Sequence, residues 1–194
     1  MFMAFMALLI ICSAPLFGGR LERLAGVRLR HSWLILLALG VQVIITDVYS
    51  AGPRPLLVAL HLASYAAAGI ALWVNRALPG LLVLGAGALL NAAVIALNGG
   101  TLPADPHALA VAGLPTDTDA FANSGALKDP VLPWLGDIIA TPGWLPLRNV
   151  ISIGDLIILA GLAILVHSAT RSRLAAPFLA SGRHPERKHG PSLR

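Results

Sequence analysis

Five apolar runs dominate the chain, and each is close to the length of helix that a bilayer demands. A membrane-crossing helix needs about 20 apolar residues. The runs are Phe2 to Phe17, Ser32 to Tyr49, Pro55 to Val74, Leu78 to Leu97 and Ser152 to His167. The first and last are short, which favours little tilt or an end in the headgroup region. Hydrophobic residues make up 57% of the chain and charged residues only 12%, and the mean hydropathy is +0.78. A soluble domain of 194 residues needs more polar surface than this to cover one core. The expected class is therefore an all-α integral membrane protein with five transmembrane helices.

The cations set the direction. The net charge is +5 and the isoelectric point about 10.4, but the arginines flank apolar runs and make no basic stripe with interleaved aromatics, so no nucleic-acid partner is expected. Arg20, Arg23, Arg28 and Arg30 follow the first run, Arg76 follows the third, and Arg171, Arg173, Arg183, Arg187, Lys188 and Arg194 follow the last. Arg54, Lys128 and Arg148 fall on the opposite side. The excess of Lys and Arg marks the cytoplasmic side, which places the N-terminus outside and the C-terminus inside. Trp33 and Trp73 then fall at inner ends and Tyr49 at an outer end, as interfacial belts require. His31 and His167 mark cytoplasmic ends and are expected to be interfacial. No positive charge precedes the first run, so it does not read as a signal peptide. The lone Cys12 excludes an intrachain disulfide and is expected to be a small buried hydrophobe.

These rules divide the chain into a five-span domain over 1–168 and a basic tail over 169–194. The tail is expected to lie near anionic lipid, each basic residue adding about 1 kcal/mol. The outer loop Asn98 to Ile151 is long for a connection without structure of its own. Its segment Asp129 to Trp144 is too apolar for a tether, and is expected as a short interfacial helix anchored by Trp134 and Trp144, or folded back over the bundle. Asp105, His107, Asp117 and Asp119 read as solvated loop charges. Asn98-Gly-Gly100 reads as a helix C-cap and stop.

The polar residues inside the apolar runs are the candidate site. At about 1.5 Å per residue, Gln42, His61 and Asn91 lie about 9–11 Å from the outer ends of their runs, and Asp155 about 9 Å in if its helix starts near Asn149 rather than Ser152. Polar side chains at such depth are costly and face the bundle interior. Gln42 shares a helical face with Thr46 and Tyr49, His61 with Ser64 and Tyr65, and Asn91 with Asn98. Ser152-Ile-Gly-Asp155 has capping-box spacing, with Ser152 as N-cap. The plain alternatives are interhelical hydrogen bonding for Gln42 and Asn91 and a simple cap for Asp155. His61 with Asp155 is the one pair that titrates usefully at this depth, which suits a proton relay, a cationic ligand or a structural ion pair.

The motifs Leu90-Asn91 through Asn98-Gly-Gly-Thr-Leu-Pro103, Phe121-Ala-Asn-Ser124, Leu135-Gly-Asp137 and Asn149-Val-Ile-Ser-Ile-Gly-Asp155 resemble an uncharacterised family of bacterial integral membrane proteins, domain of unknown function 5317. The resemblance covers roughly Leu90 to Gly161, with Ile151 standing where the family carries a Phe-rich variant. It implies a multi-pass protein of a bacterial cytoplasmic membrane and implies no activity.

No phosphate loop, zinc helix or nucleophile elbow is present in the sequence, so neither a cofactor nor a catalytic or metal-binding residue is named. The expected function is non-enzymatic. One form is binding or moving a small solute or proton at an outward polar pocket of Asp155, His61, Asn91, Gln42, Asn98 and Ser152. The other is an accessory role in a membrane complex or homo-oligomer, with Gly85-Ala-Gly87 permitting close helix approach. The competing class is a membrane enzyme using His61 and Asp155 as an acid–base pair under the outer loop. For the topology, a cysteine placed between Asp105 and Asp119 is expected to react with an impermeant thiol reagent in whole cells, and one placed beyond Arg171 to be protected. The reverse pattern would overturn the orientation.

Overall fold

The computed structural model describes residues 2–116, 122–142 and 147–175. Asp117, Asp119, Phe121, Trp144 and the tail from 176 onward lie outside the described residues. The fold is mostly helical. The apolar runs become α1 (Phe2–Leu16), α2 (Ser32–Val43), α3 (Arg54–Val74), α4 (Leu81–Leu97) and α6 (Ile153–Thr170), with the short α5 (Pro106–Ala112) in the long loop. Two helices, α3 and α6, are long and apolar enough to cross a membrane, and α1, α2 and α4 are shorter apolar helices. α2 continues through one π-helical turn, Ile44–Val48.

The most extensive helix contact is between α4 and α6. The two run antiparallel: Gly80 meets the Gly161–Leu165 stretch, and Gly87 meets Gly154 and Ile158. A Cβ added at Gly87 would lie 2.5 Å from the Gly154 carbonyl oxygen and 2.8 Å from the Ile158 nitrogen, so only hydrogen fits there. The spacing explains the approach. Gly80 and Gly87, and Gly154 and Gly161, are each two helical turns apart and therefore share a face. Gly87, which the sequence offers as a contact between copies of the chain, is thus consumed inside one chain.

On the side where α1 and α6 end, the connections interlock. Arg20 N donates to Thr170 O at 3.0 Å and Arg173 N to Phe17 O at 2.9 Å. The buried Asn75 amide accepts from Arg30 N at 2.8 Å and donates to Arg30 O and Ala71 O. His167, expected at an interface, is instead buried. Its Nδ1 meets Ser172 Oγ at 2.8 Å, its Nε2 meets Ser13 Oγ at 3.3 Å, and Phe17 lies edge-on against the ring. Cys12 is also corrected: it is exposed on α1 and not buried, because α1 packs chiefly against α6 by one face.

The long loop is not an interfacial helix. It builds a small cap from α5 and four short strands, β1 (Leu102–Pro103), β2 (Ser124–Gly125), β3 (Asp137–Ala140) and β4 (Val150–Ser152). β1 pairs with β2 in parallel and β3 with β4 antiparallel, with Asp137 opposite Ser152. Asp105, expected as a solvated charge, caps α5 by accepting from His107 N and Ala108 N. Ala104, Ala108, Leu109, Ala112 and Val150 form the cap's own core. Trp134 is exposed within a 3-10 turn, Pro133–Leu135.

The glycine contact is directly testable. Gly87→Ala is expected to destabilise the folded protein by about 2 kcal/mol through overpacking. Gly69→Ala, where nothing lies within 4 Å of the added methyl, is expected to stabilise α3 by roughly 0.5–1 kcal/mol. Unfolding in detergent measures both, and equal effects would sink the packing account.

Candidate functional site

The site grows from the start of α6. A helix begins with backbone N–H groups that lack intrahelical acceptors, and Ser152 answers this with a complete capping box. Ser152 Oγ accepts from Asp155 N at 3.0 Å, and Asp155 Oδ2 accepts from Ser152 N at 3.1 Å. The other carboxylate oxygen, Oδ1, accepts from Asn91 Nδ2 on α4 at 2.9 Å. Asn91 Oδ1 in turn accepts from Ser152 Oγ at 3.0 Å. The three side chains close a ring between α4 and α6, and Gly154 leaves the space that Asn91 Oδ1 occupies. Ser152 is therefore more than a cap: fully buried, it is the hub that fixes which way the Asn91 amide points.

The remaining sequence candidates serve different contacts. His61 is fully buried on α3. Its Nδ1 lies 2.9 Å from the Gly100 carbonyl, which can only accept, so the proton is on Nδ1. The imidazole ring sits 5.3 Å from that of Tyr65. Gln42 Nε2 donates to Ser64 Oγ at 2.9 Å, joining α2 to α3. Asn98 fastens the cap, with Nδ2 donating to Val131 O and Oδ1 accepting from Val131 N. The structure thus brings Asn91, Ser152 and Asp155 into one hydrogen-bonded ring, while His61, Gln42 and Asn98 bind loop or helix partners of their own.

A further carboxyl joins this layer, one that sequence reasoning did not single out. Pairing of β3 with β4 sets Asp137 opposite Ser152, and Asp137 is buried. Ser124 Oγ donates to its Oδ2 at 2.5 Å. Its Oδ1 is buried without a hydrogen-bond partner among the described residues. Burial in low dielectric disfavours the charge, and the nearby Asp155 carboxylate adds repulsion. Against the opposing Ser124 hydrogen bond, these push the Asp137 carboxyl up to about 7. Tyr65 lies within electrostatic reach of both carboxyls. The available signal was Leu135-Gly-Asp137 and Phe121-Ala-Asn-Ser124, two separate motifs whose meeting depends on strand pairing.

These features define a helical bundle capped by a small β-containing unit, with the buried Asp137 and the half-buried Asp155 where the two meet. The model of a family of unknown function, DUF5317, matches residues 26–167, and the chain belongs to that family. No curated protein matches the chain, and no solved structure matches it.

The Asp137 environment predicts a pH-dependent fold. An unfolded Asp has a pKa of about 3.8, so between about pH 4 and pH 7 the folded state holds a proton that the unfolded chain has released. Stability must then fall as pH rises through that window, by on the order of 4 kcal/mol at most. Asp137→Asn still accepts from Ser124 but cannot ionise. It is expected to flatten the profile in thermal melts, and an unchanged profile would remove Asp137 as its source.

Proposed function

We propose that this is a five-span membrane protein, N-terminus outside and C-terminus cytoplasmic, which binds a proton or small cationic solute at an outward-facing carboxyl layer under the cap. The observation that carries the reading is the buried Asp137 carboxyl, set by strand pairing opposite Ser152, the residue that caps the helix of Asp155. The Ser152 backbone N–H donates to Asp155, and a carboxyl that burial shifts to about 7 is poised to take up and release a proton near neutral pH.

Several features support the membrane part. Large apolar side chains point away from the bundle: Leu36 and Leu89 are each 70% exposed, which in water would leave an unusually apolar surface. The Arg76 guanidinium stacks over Trp73 at 4.5 Å at the end of α3, a pairing suited to a headgroup boundary. The parallel course of α1 and α6, tied at their ends by Arg20 and Thr170, fits an odd number of spans. The natural setting for such a protein is a bacterial cytoplasmic membrane, with anionic lipid near the basic tail and room for a complex partner or a second copy on the lipid-facing helices.

An acid–base enzyme is less well supported. The Asp155 oxygens are engaged by Asn91 and Ser152, an arrangement that fixes a carboxylate in place and does not offer it to a substrate.

Infrared titration of the reconstituted full chain tests the reading. A carbonyl-stretch band of a neutral carboxyl is expected to disappear as the outer solution is raised through about pH 7. Asp137→Asn should remove the band, and Asp155→Asn should lower its midpoint, because the repelling charge is gone. A band that ignores Asp155, or that titrates only from the inner side, would reject the proposal.

A further inference from the structure

Beside the carboxyl layer runs a groove of about 320 Å³ between α2 and α3, a volume within the range of small-molecule sites. Its wall is apolar, formed by Ile35, Ala38, Leu39 and Ala68. One end is polar, formed by Gln42, Ser64, Tyr65 and Asn123, the last from the cap. From Gln42 to Ile35 is seven residues of helix, about 10 Å. The groove is therefore an apolar slot with a polar mouth on the side of the cap.

The hydrogen-bond sense at that mouth can be deduced. The Ser64 hydroxyl donates to the His61 carbonyl at 2.6 Å, so its single proton is committed and Ser64 Oγ can only accept from Gln42. That fixes the Gln42 amide with Nε2 toward Ser64 and turns Oε1 the other way. Gln42 Oε1 is buried and has no partner among the described residues. A buried acceptor left unmade costs about 1–3 kcal/mol, so a donor from a ligand would be favoured there. Ser124, the chain neighbour of the lining Asn123, donates to Asp137 Oδ2, which places a carboxyl beside this mouth. None of the described residues lining the groove is basic.

We infer that the groove between α2 and α3 binds a long-chain amphiphile, its chain along Ala38 and Ala68 and its ammonium head at Gln42, Tyr65 and Asn123. The apolar wall takes the chain by the hydrophobic effect. The orphan acceptor and the Asp137 carboxyl beside the mouth select a cationic donor over an anionic head, since like charge at a poorly solvated site is unfavourable. The inference rests on the five-span reading for its source of ligand, because the outward faces of α2 and α3 carry exposed Leu36, Leu37 and Ile70 and open the slot toward lipid.

The test uses the purified full chain in non-ionic detergent, with dodecylamine and dodecanoate as probes and native mass spectrometry as readout at neutral pH. Dodecylamine is expected to be retained at least about tenfold more strongly than dodecanoate. Ala68→Phe, which fills the slot, should abolish retention of the amine. Gln42→Leu and Asn123→Ala should each weaken it at least about threefold, and they decide the matter if Ala68→Phe does not fold. Equal retention of the two probes, or unaltered retention of the amine in the folded variants, overturns the inference. Binding in micelles is read without reference to sidedness. Its failure is therefore distinct from failure of the topology, which thiol labelling reports.

Discussion

The close approach of α4 and α6 is the contact on which the rest of the structure depends. Backbone meets backbone where Gly87 lies against Gly154 and Ile158, and this proximity lets the Asn91 side chain on α4 reach the first turn of α6. Were the helices held apart by side chains, the Asn91–Asp155 and Asn91–Ser152 bonds would lengthen beyond useful range, since hydrogen bonds weaken steeply past about 3.2 Å. The small residues thus position the polar ring. In a lipid setting this is a favoured strategy, because apolar side chains gain little by leaving one apolar medium for another while close backbone packing and interhelical hydrogen bonds still contribute.

The cap converts that helix pair into a site. β4 runs directly into α6, so the residue that ends the strand, Ser152, is also the residue that begins the helix. β3 lies beside it and delivers Asp137, and Ser124 arrives on β2 through the pairing of β2 with β1. Asn98 fastens the Val131 backbone to the end of α4, and Gly100, at a positive φ of 96°, turns its carbonyl to His61. His61 and Asn98 are therefore held by loop backbone as well as by their helices. This gives the short loop strands a rigid frame that two-stranded ribbons lack when isolated.

Asn123 and Ser124 join two chemically different regions: Asn123 lines the apolar groove toward Ile35, and Ser124 bonds the buried Asp137 carboxyl. In the proposed function a proton or small cation at Asp137 and an amphiphile head at Asn123 would be near neighbours. Ionising Asp137 would strengthen the field at the groove mouth and favour a cationic head there. The two sites would then be coupled in the reciprocal sense that linkage requires.

The positions of the helices were legible in the sequence, because an apolar run records its burial or lipid exposure residue by residue. The bounds Phe2–Leu16, Arg54–Val74 and Leu81–Leu97 follow the runs closely. The Ser152–Asp155 cap was legible for the same reason: its geometry is local and spans three residues. The cap's strands were not legible, since two- to four-residue strands carry no usable periodicity and are stabilised by partners distant in the chain. His167 and Cys12 exchanged their expected environments because the packing of α1 on α6, and not hydropathy, decides which face of each is covered. Asp137 shows the limit most plainly. By itself the sequence determined that a carboxylate follows a Leu-Gly turn in a long loop. Only the tertiary structure decided that it is buried opposite Ser152 and beside Asp155, because strand register is a long-range choice and a charge acquires its energetics from neighbours that the chain order does not name.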